Sequence, residues 1–258
     1  MFNEELLQLV EPFAKARSLL DTQSALERFS YKMGFDYFQL LILYPCSLQR
    51  SHIVLINNYP KSWFDTYYKN KYLMEDPVIN LAMKQTQPIF WNTQDLMQSD
   101  ISEKSKNVMK LAADFGVQNG ISIPLNSPTG EKGVLTFITK VGNNSELMYE
   151  NVPKISFCSG YIFNAALEAI KRRPDIAPPS VSLSGREREC LYWASEGKTS
   201  WEIATILGIT ERTVNFHLNQ VTTKTDSRNR NQAIAKTISS GLIVPSLENV
   251  TMTNLRLS

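Results

Sequence analysis

The chain has 258 residues, 43% of them hydrophobic, and a formal net charge of only +2. That length suits two modest domains with ordinary cores, and so small a charge does not by itself announce a nucleic-acid binder. No apolar run reaches the ~18 residues of a membrane span, so none is expected. Residues 1–20 read as an amphipathic helix, not as a secretory leader. Cys46, Cys158 and Cys190 are odd in number and far apart, as expected of reduced thiols in a cytoplasm and not of a disulfide framework or a metal site.

In chain order, residues 4–20 and 22–33 have helical periodicity, and "YFQLLILY" (37–44) and "HIVLIN" (52–57) read as buried strands. Helical segments follow at 61–72, 77–86 and 102–114. "GISIPL" (120–125) and "GVLTFITK" (133–140) form a hairpin around "NSPTG", and residues 147–171 form a last long helix. Helices at both ends and strands between them predict an α+β domain, an α-β-α sandwich around an antiparallel sheet. "KRRPDIAPPSVS" (171–182) carries Pro174, Pro178 and Pro179 and reads as a semi-rigid seam. The expected boundaries are a first domain over 1–172, a linker over 173–182 and a second domain over 183–258.

The second domain is helical. Ser184 and Glu187 have capping-box spacing, as do Thr199 and Glu202. Gly197 ends the first helix and Gly208 turns the second, over 200–207, into a third that Thr210 caps. Helix, short glycine turn, helix is the helix-turn-helix pattern, here within four helices, the last following Asn231 with Ile234 and Ile238 facing in. On the third helix Val214, Leu218 and Val221 form a buried stripe. Arg212, Asn215, Asn219 and Thr223 project the other way, and asparagine can pair with adenine in the major groove. Lys198, Thr199, Thr210, Thr213 and Lys224 sit near helix ends, where phosphates are met. A small bundle with a solvated polar face is the plain alternative. Residues 183–243 hold eight Lys and Arg against six Asp and Glu, a weak excess that calls for a dimer on DNA.

In the first domain the distinctive stretch is "NNYPKSWFDTYYKNKYLMEDPVIN" (57–80). Trp63 and Tyr67 share a helical face, Tyr59 leads in, Asp76-Pro77 opens the next helix, and Trp91 follows. Aromatic rings with one polar hydrogen each, plus a carboxylate, suit a mostly apolar pocket with convergent polar groups. Core packing of Trp63, Tyr67 and Trp91, and a simple N-cap at Asp76, are the alternatives these residues leave open.

The second domain, through "LSGREREC", "GKTSWEIATILGITERTVNFHL" and "RNRNQAIAKTISSGLI", resembles the DNA-binding domain of LuxR-family transcription factors. Glu187, Leu191 and Gly197 stand at that family's characteristic positions; Thr225 departs from its usual apolar residue, which predicts looser packing there. The first domain, through Tyr-x3-Trp-x3-Tyr, Asp76-Pro77, Trp91 and Gly120 in "DFGVQNGISIPL", resembles the acyl-homoserine-lactone-binding domain of the quorum-sensing members. The resemblance implies that Trp63 donates to the lactone carbonyl and Asp76 accepts the ligand's amide N–H. It also implies that Tyr59 and Thr136 bind near the amide carbonyl and that Tyr67 and Trp91 pack on the head group. Val78, Leu40 and Ile42, with Phe38 and Leu55, are expected to wall the acyl chain.

The expected function is therefore a quorum-sensing regulator in the cytoplasm. It would bind an N-acyl-homoserine lactone (3-oxo-acyl forms included), require no cofactor, and act as a homodimer on palindromic double-stranded DNA to activate transcription with RNA polymerase. The alternatives are a receptor without its own synthase that hears a foreign lactone or another small molecule, and a repressor released by ligand. A lactone hydrolase is disfavoured. With only His52 and His217, and His217 in the recognition helix, a histidine-rich metal site is excluded, and no Gly-x-Ser-x-Gly elbow is present. A phosphorylated receiver domain is excluded by the hairpin-like joining of the first two strands.

Overall fold

The computed structural model describes residues 4–47, 50–140, 145–177 and 181–244, and the chain divides into two compact units, the first made of residues 1–46, 51–127 and 131–179 and the second of 180–258 with the short segments 47–50 and 128–130. In the first unit α1 (Glu4–Lys15) and α2 (Leu19–Lys32) precede the hairpin β1 (Tyr37–Ser47) and β2 (Arg50–Asn57). Next come α3 (Lys61–Lys69), a 3-10 turn (Tyr72–Met74), α4 (Pro77–Ala82), β3 (Ile89–Asn92), α5 (Thr93–Gln98) and α6 (Glu103–Asp114). β4 (Asn119–Asn126), β5 (Lys132–Thr139) and the long α7 (Ser145–Lys171) complete it. The strands form one sheet in the order β2-β1-β5-β4-β3, with antiparallel pairing of β1 to β5, β5 to β4 and β4 to β3.

Helices cover both faces of the sheet, the α-β-α sandwich read from the sequence. On one face Phe13, Leu26, Phe29 and Ile162, from α1, α2 and α7, pack with Phe38, Leu40, Ile121 and Phe137. On the other, Trp63, Val78, Met109 and Ala112, from α3, α4 and α6, pack with Leu41, Trp91, Val134 and Ile138. This corrects one expectation. Phe38, Leu40 and Ile42 do share a face of β1, but it is the face under α1, α2 and α7, on the far side of the sheet from Trp63 and Asp76. β1 is apolar on both faces, so its alternation shows which residues go together and not which layer they enter.

Helix boundaries shift where local capping intervenes. The helix expected over 4–20 stops at Lys15, because Ser18 and Asp21 form a complete capping box that starts α2. The segment 61–72 breaks at Lys71, which adopts φ 55°, and the segment 77–86 ends at Ala82. Periodicity anticipates neither β3 nor α5, which have four and six residues; the local signal is Asn92, whose side chain accepts from the Asp95 N–H at 2.7 Å. Of the expected linker, Ile176 and Ala177 pack with the first core while Val181 packs with the second. Pro178 and Pro179, like residues 245–258 of the expected second domain, lie outside the described residues.

The second unit holds α8 (Gly185–Ser195), α9 (Ser200–Leu207), α10 (Glu211–Lys224) and α11 (Arg230–Ser239). Both capping boxes are complete, Ser184 with Glu187 and Thr199 with Glu202. Gly208 closes α9 at φ 64°, left-handed backbone that glycine adopts without a Cβ clash. Thr210 caps α10 and Asn229, not Asn231, caps α11. Val214, Leu218 and Val221 are buried with Cys190, Leu191 and Ile203. Ala233 and Thr237 are the buried residues of α11; Ile234 is only partly buried and Ile238 is 54% exposed. Thr225 is buried but satisfied, its hydroxyl donating to the Val221 carbonyl at 2.8 Å, so the polar residue there packs without an orphaned group. Cys158 and Cys190 are buried free thiols; burial pushes Cys158 up to about 11 and Cys190 upward as well, which leaves both poorly reactive.

Candidate ligand pocket and nucleic-acid interface

The pocket lies between the sheet and the layer of α3, α4 and α6. Tyr59, Trp63, Tyr67, Asp76, Val78, Trp91 and Thr136 all line it, as do Gln39, Ile79, Val108, Met109, Ala112 and Val117. The open space is about 30 Å³, enough for roughly two waters. A larger occupant is therefore accommodated only by movement of the surrounding side chains or of the helical layer.

Asp76 is both cap and pocket wall. One carboxylate oxygen accepts the N–H groups of Val78 and Ile79 at 2.9 and 3.2 Å and so starts α4. The other accepts the Tyr67 hydroxyl at 2.8 Å. A carboxylate offers about four lone-pair sites, so one remains for a donor from an occupant. Burial pushes the Asp76 carboxyl above the usual range, with the bonds from Tyr67, Ile79 and Val78 pulling the other way. Burial, and then the Asp76 charge, push Tyr59 and Tyr67 well up, so both carry their protons.

The opposite wall is a polar line across the sheet. In register, Gln39 on β1 faces Thr136 on β5, and Thr136 faces Ser122 on β4. Trp91 donates its indole N–H to Ser122 Oγ at 3.0 Å, and Ser122 Oγ lies 2.8 Å from Thr136 Oγ1. Ser122 is fully buried, so its own proton is best placed on Thr136. That leaves the Thr136 hydroxyl hydrogen free to point into the pocket. Gly120 makes this line possible. A Cβ there would stand 2.6 Å from the Trp91 ring and 2.8 Å from the Phe137 carbonyl, so only glycine lets the indole lie against β4.

Three further donors face the pocket. The Trp63 indole N–H, the Tyr59 hydroxyl and the Gln39 amide have no hydrogen-bond partner among the described residues, although Trp63 is only 2% and Gln39 6% exposed. Trp63 is held by rings, with Tyr67 at 5.5 Å and Phe115 at 5.4 Å. The pocket thus presents several N–H and O–H donors and, on Asp76, an open acceptor position that carries charge. That pattern fits a molecule with two or more carbonyl oxygens and one N–H. Sequence reasoning reaches the aromatic and acidic members of this set. It misses Gln39, Ser122 and the α6 residues Val108, Met109 and Ala112. Gln39 had a signal, the single polar residue within "YFQLLILY", which marks the pocket side of β1.

In the second unit Arg212, Asn215 and Asn219 are exposed along α10, with Thr213 half-buried. Arg212 and Asn219 make no side-chain hydrogen bond among the described residues, whereas the Asn215 carbonyl oxygen accepts the Ser200 hydroxyl at 2.7 Å. Thr210 and Thr199 are engaged at their caps. Lys198 lies at the start of α9, its carbonyl held by Arg230 at 2.6 Å. Lys224 also has a structural part: its ammonium pairs with Glu187 at 2.7 Å and reaches the Ser182 carbonyl, so it ties α10 to α8. The cause is the capping box, which buries Glu187 to 5% exposure and leaves a charge that needs a partner. The Lys224 and Ser184 bonds outweigh burial and hold the Glu187 carboxyl below the usual range. Phe216, 58% exposed on the same helix, is an addition that polarity alone does not select. No group of three or more metal-ligating side chains occurs, and no helix is long and apolar enough to cross a membrane, among the described residues.

A sheet pocket with an aromatic and acidic mouth, carried with a capped helix-turn-helix unit, defines a ligand-responsive DNA-binding regulator. Residues 18–166 match the autoinducer binding domain and residues 181–237 match the bacterial regulatory proteins of the luxR family. The chain belongs to that family of LuxR-type transcriptional regulators. It is 48% identical over 254 residues to the transcriptional activator AhyR of Aeromonas hydrophila, covering 98% of each chain. It is 31% identical to the transcriptional activator LuxR of Aliivibrio fischeri, covering 93% of this chain and 95% of that one. Among solved structures it resembles Escherichia coli SdiA, with a TM-score of 0.76, 25% identity, and coverage of 95% and 100% of the two chains. SdiA in complex with octanoyl-rac-glycerol matches with a TM-score of 0.75, 25% identity, and coverage of 92% and 95%.

Proposed function

We propose that the chain binds an N-acyl-homoserine lactone in the first unit and, as a homodimer in the cytoplasm, binds a palindromic site through α10 to activate transcription with RNA polymerase. The observation that carries the ligand reading is the donor and acceptor pattern of the pocket. In this reading Trp63 donates to the lactone carbonyl, Tyr59 and Thr136 donate to the amide carbonyl, and the open site on Asp76 accepts the amide N–H. Tyr67, held by Asp76, and Trp91, held by Ser122, pack against the head group. Val78, Val108, Met109 and Val117 form the apolar wall for the chain. Asn215 and Asn219 read base edges, with Arg212, Lys198, Thr199, Thr210 and Thr213 towards the backbone. Half-sites then lie about 10 bp apart or a multiple of it.

The ligand is bound and not transformed, and the pocket holds no histidine. The test is thermal stability and soluble yield with a panel of acyl-homoserine lactones, combined with footprinting on a palindromic site. A rise with one lactone class, ligand-dependent protection of both half-sites and stoichiometric recovery of intact lactone are expected. A flat response to the panel overturns the ligand. A second reading, an acylglycerol, is favoured by the match to SdiA with octanoyl-rac-glycerol and by the fact that Asp76 accepts a hydroxyl as readily as an amide N–H. Including octanoyl-rac-glycerol in the panel separates the two.

A further inference from the structure

We propose that Gln39 determines ligand specificity: its side-chain amide hydrogen-bonds an oxygen substituent on the acyl chain close to the amide carbonyl, a 3-oxo or 3-hydroxy group. The assignment rests on the acyl-lactone reading above and deepens it. Gln39 is 6% exposed and lines the cavity, and its amide has no hydrogen-bond partner among the described residues. That amide borders the cavity and is open to pair with a group that enters it.

Around the amide, the donors outnumber what a plain acyl lactone accepts. Its lactone carbonyl takes Trp63, and its amide carbonyl has two lone pairs, which Tyr59 and Thr136 fill. Its amide N–H goes to Asp76. The acceptors left over, the second lone pair of the lactone carbonyl and the ring oxygen, belong to the head group beside Trp63 and Trp91, so Gln39, on the other side of Thr136, meets an acceptor only if the chain itself carries one.

Position agrees with the count. The sheet order places Trp91 on β3, Ser122 on β4, Thr136 on β5 and Gln39 on β1. With the head group against Trp91 and the amide carbonyl at Thr136, Gln39 is the next residue along the line, on the side towards which the chain extends. Directly opposed residues on paired strands stand about 5 Å apart, which suits an oxygen carried on the carbon two bonds beyond the carbonyl carbon. The amide can donate to a ketone and can both donate to and accept from a hydroxyl.

The test is competition binding to the full chain with three lactones matched in chain length: unsubstituted, 3-oxo and 3-hydroxy. The wild type is expected to prefer an oxygenated ligand by at least about tenfold. Gln39→Met and Gln39→Leu are expected to bring the three affinities within about twofold of one another, by loss on the oxygenated ligands alone. Equal wild-type affinity for all three overturns the assignment, and so does an equal loss on all three in the variants. The wild-type comparison decides even if a variant fails to fold. A wild type that binds none of the three overturns the acyl-lactone reading and this assignment together, whereas binding without preference overturns only the role of Gln39.

Discussion

The two units treat polar groups in opposite ways. In the helical unit the buried or half-buried polar side chains close on one another: Ser184 with Glu187, Glu187 with Lys224, Thr225 with the Val221 carbonyl. In the pocket layer Trp63, Tyr59 and Gln39 face a common cavity without partners among the described residues, while Asp76 keeps an open lone-pair site. A protein unit that satisfies itself is complete as a fold. One that leaves donors open on an internal cavity offers them to what binds there, and an occupant that binds only the folded unit stabilises it. The difference assigns ligand dependence to the first unit alone.

The comparison breaks most sharply at Asp76. Asp76→Ala removes the α4 cap, the partner of Tyr67 and the ligand's acceptor together. It is expected to weaken lactone binding by about 2–3 kcal/mol, a loss of roughly 30- to 150-fold, and to lower the first unit's midpoint, since a lost cap alone costs about 1 kcal/mol. Asp76→Asn keeps a good cap and should recover stability more than affinity. Isothermal titration beside thermal melting separates the two losses, and equal recovery of both would count against a ligand role for the carboxylate.

Glu187→Ala is the counterpart in the other unit. It opens a capping box and strands Lys224, and is expected to cost about 1–3 kcal/mol in the helical unit while leaving lactone affinity unchanged. A parallel fall in lactone affinity would show that the units do not divide the work as described. Gly120→Ala follows. Its Cβ collides with the Trp91 ring, an overpacking of about 1–3 kcal/mol, and it should reduce both stability and lactone binding of the first unit. A fully stable variant would mean that Trp91 is free to move off β4.

The pH dependence sharpens the contrast. Asp76 has a raised folded pKa, so the folded unit holds its proton more tightly than the unfolded chain. That unit's contribution to stability therefore falls as pH rises through the window between the ordinary and the raised value. A lactone N–H favours the ionised form, so affinity should strengthen with pH across the same window. Glu187 has a lowered folded pKa, so its contribution is present above the ordinary carboxylate range and is lost as pH falls through the folded value. Affinity measured against pH, with melting of each unit, should show the opposite slopes. The smallest effect is expected at Asn219→Ala. It should relax sequence preference by about 1–3 kcal/mol at one base pair without changing the salt dependence of binding.

What the sequence discloses follows the same division. The helical unit is written in local signals: two capping boxes, Gly208 at its turn, and the Val214, Leu218 and Val221 stripe. Each involves residues a few positions apart, and the structure holds them all. The pocket is assembled from elements far apart in the chain, β1, β3 and β5 with α3, α4 and α6. Its aromatic and acidic residues are legible because their types are unusual for a core. Which face of β1 they meet is not, since Phe38, Leu40 and Ile42 alternate as regularly as Tyr37, Gln39 and Leu41, and only strand register decides between them. The structural part of Lys224 is hidden for a related reason: its ion pair with the buried Glu187 joins residues 37 positions apart.

The central claim, that the ligand completes the first unit and not the second, is tested most directly by hydrogen exchange on the full chain with and without the lactone that binds it. At a ligand concentration about 100 times Kd the stabilisation is about 2.7 kcal/mol. Protection is therefore expected to rise by roughly two orders of magnitude across α3, α4, α6 and the facing strands, and to stay unchanged across α8, α9 and α11. Equal protection gained in both units, or none gained in the pocket layer, would contradict the account.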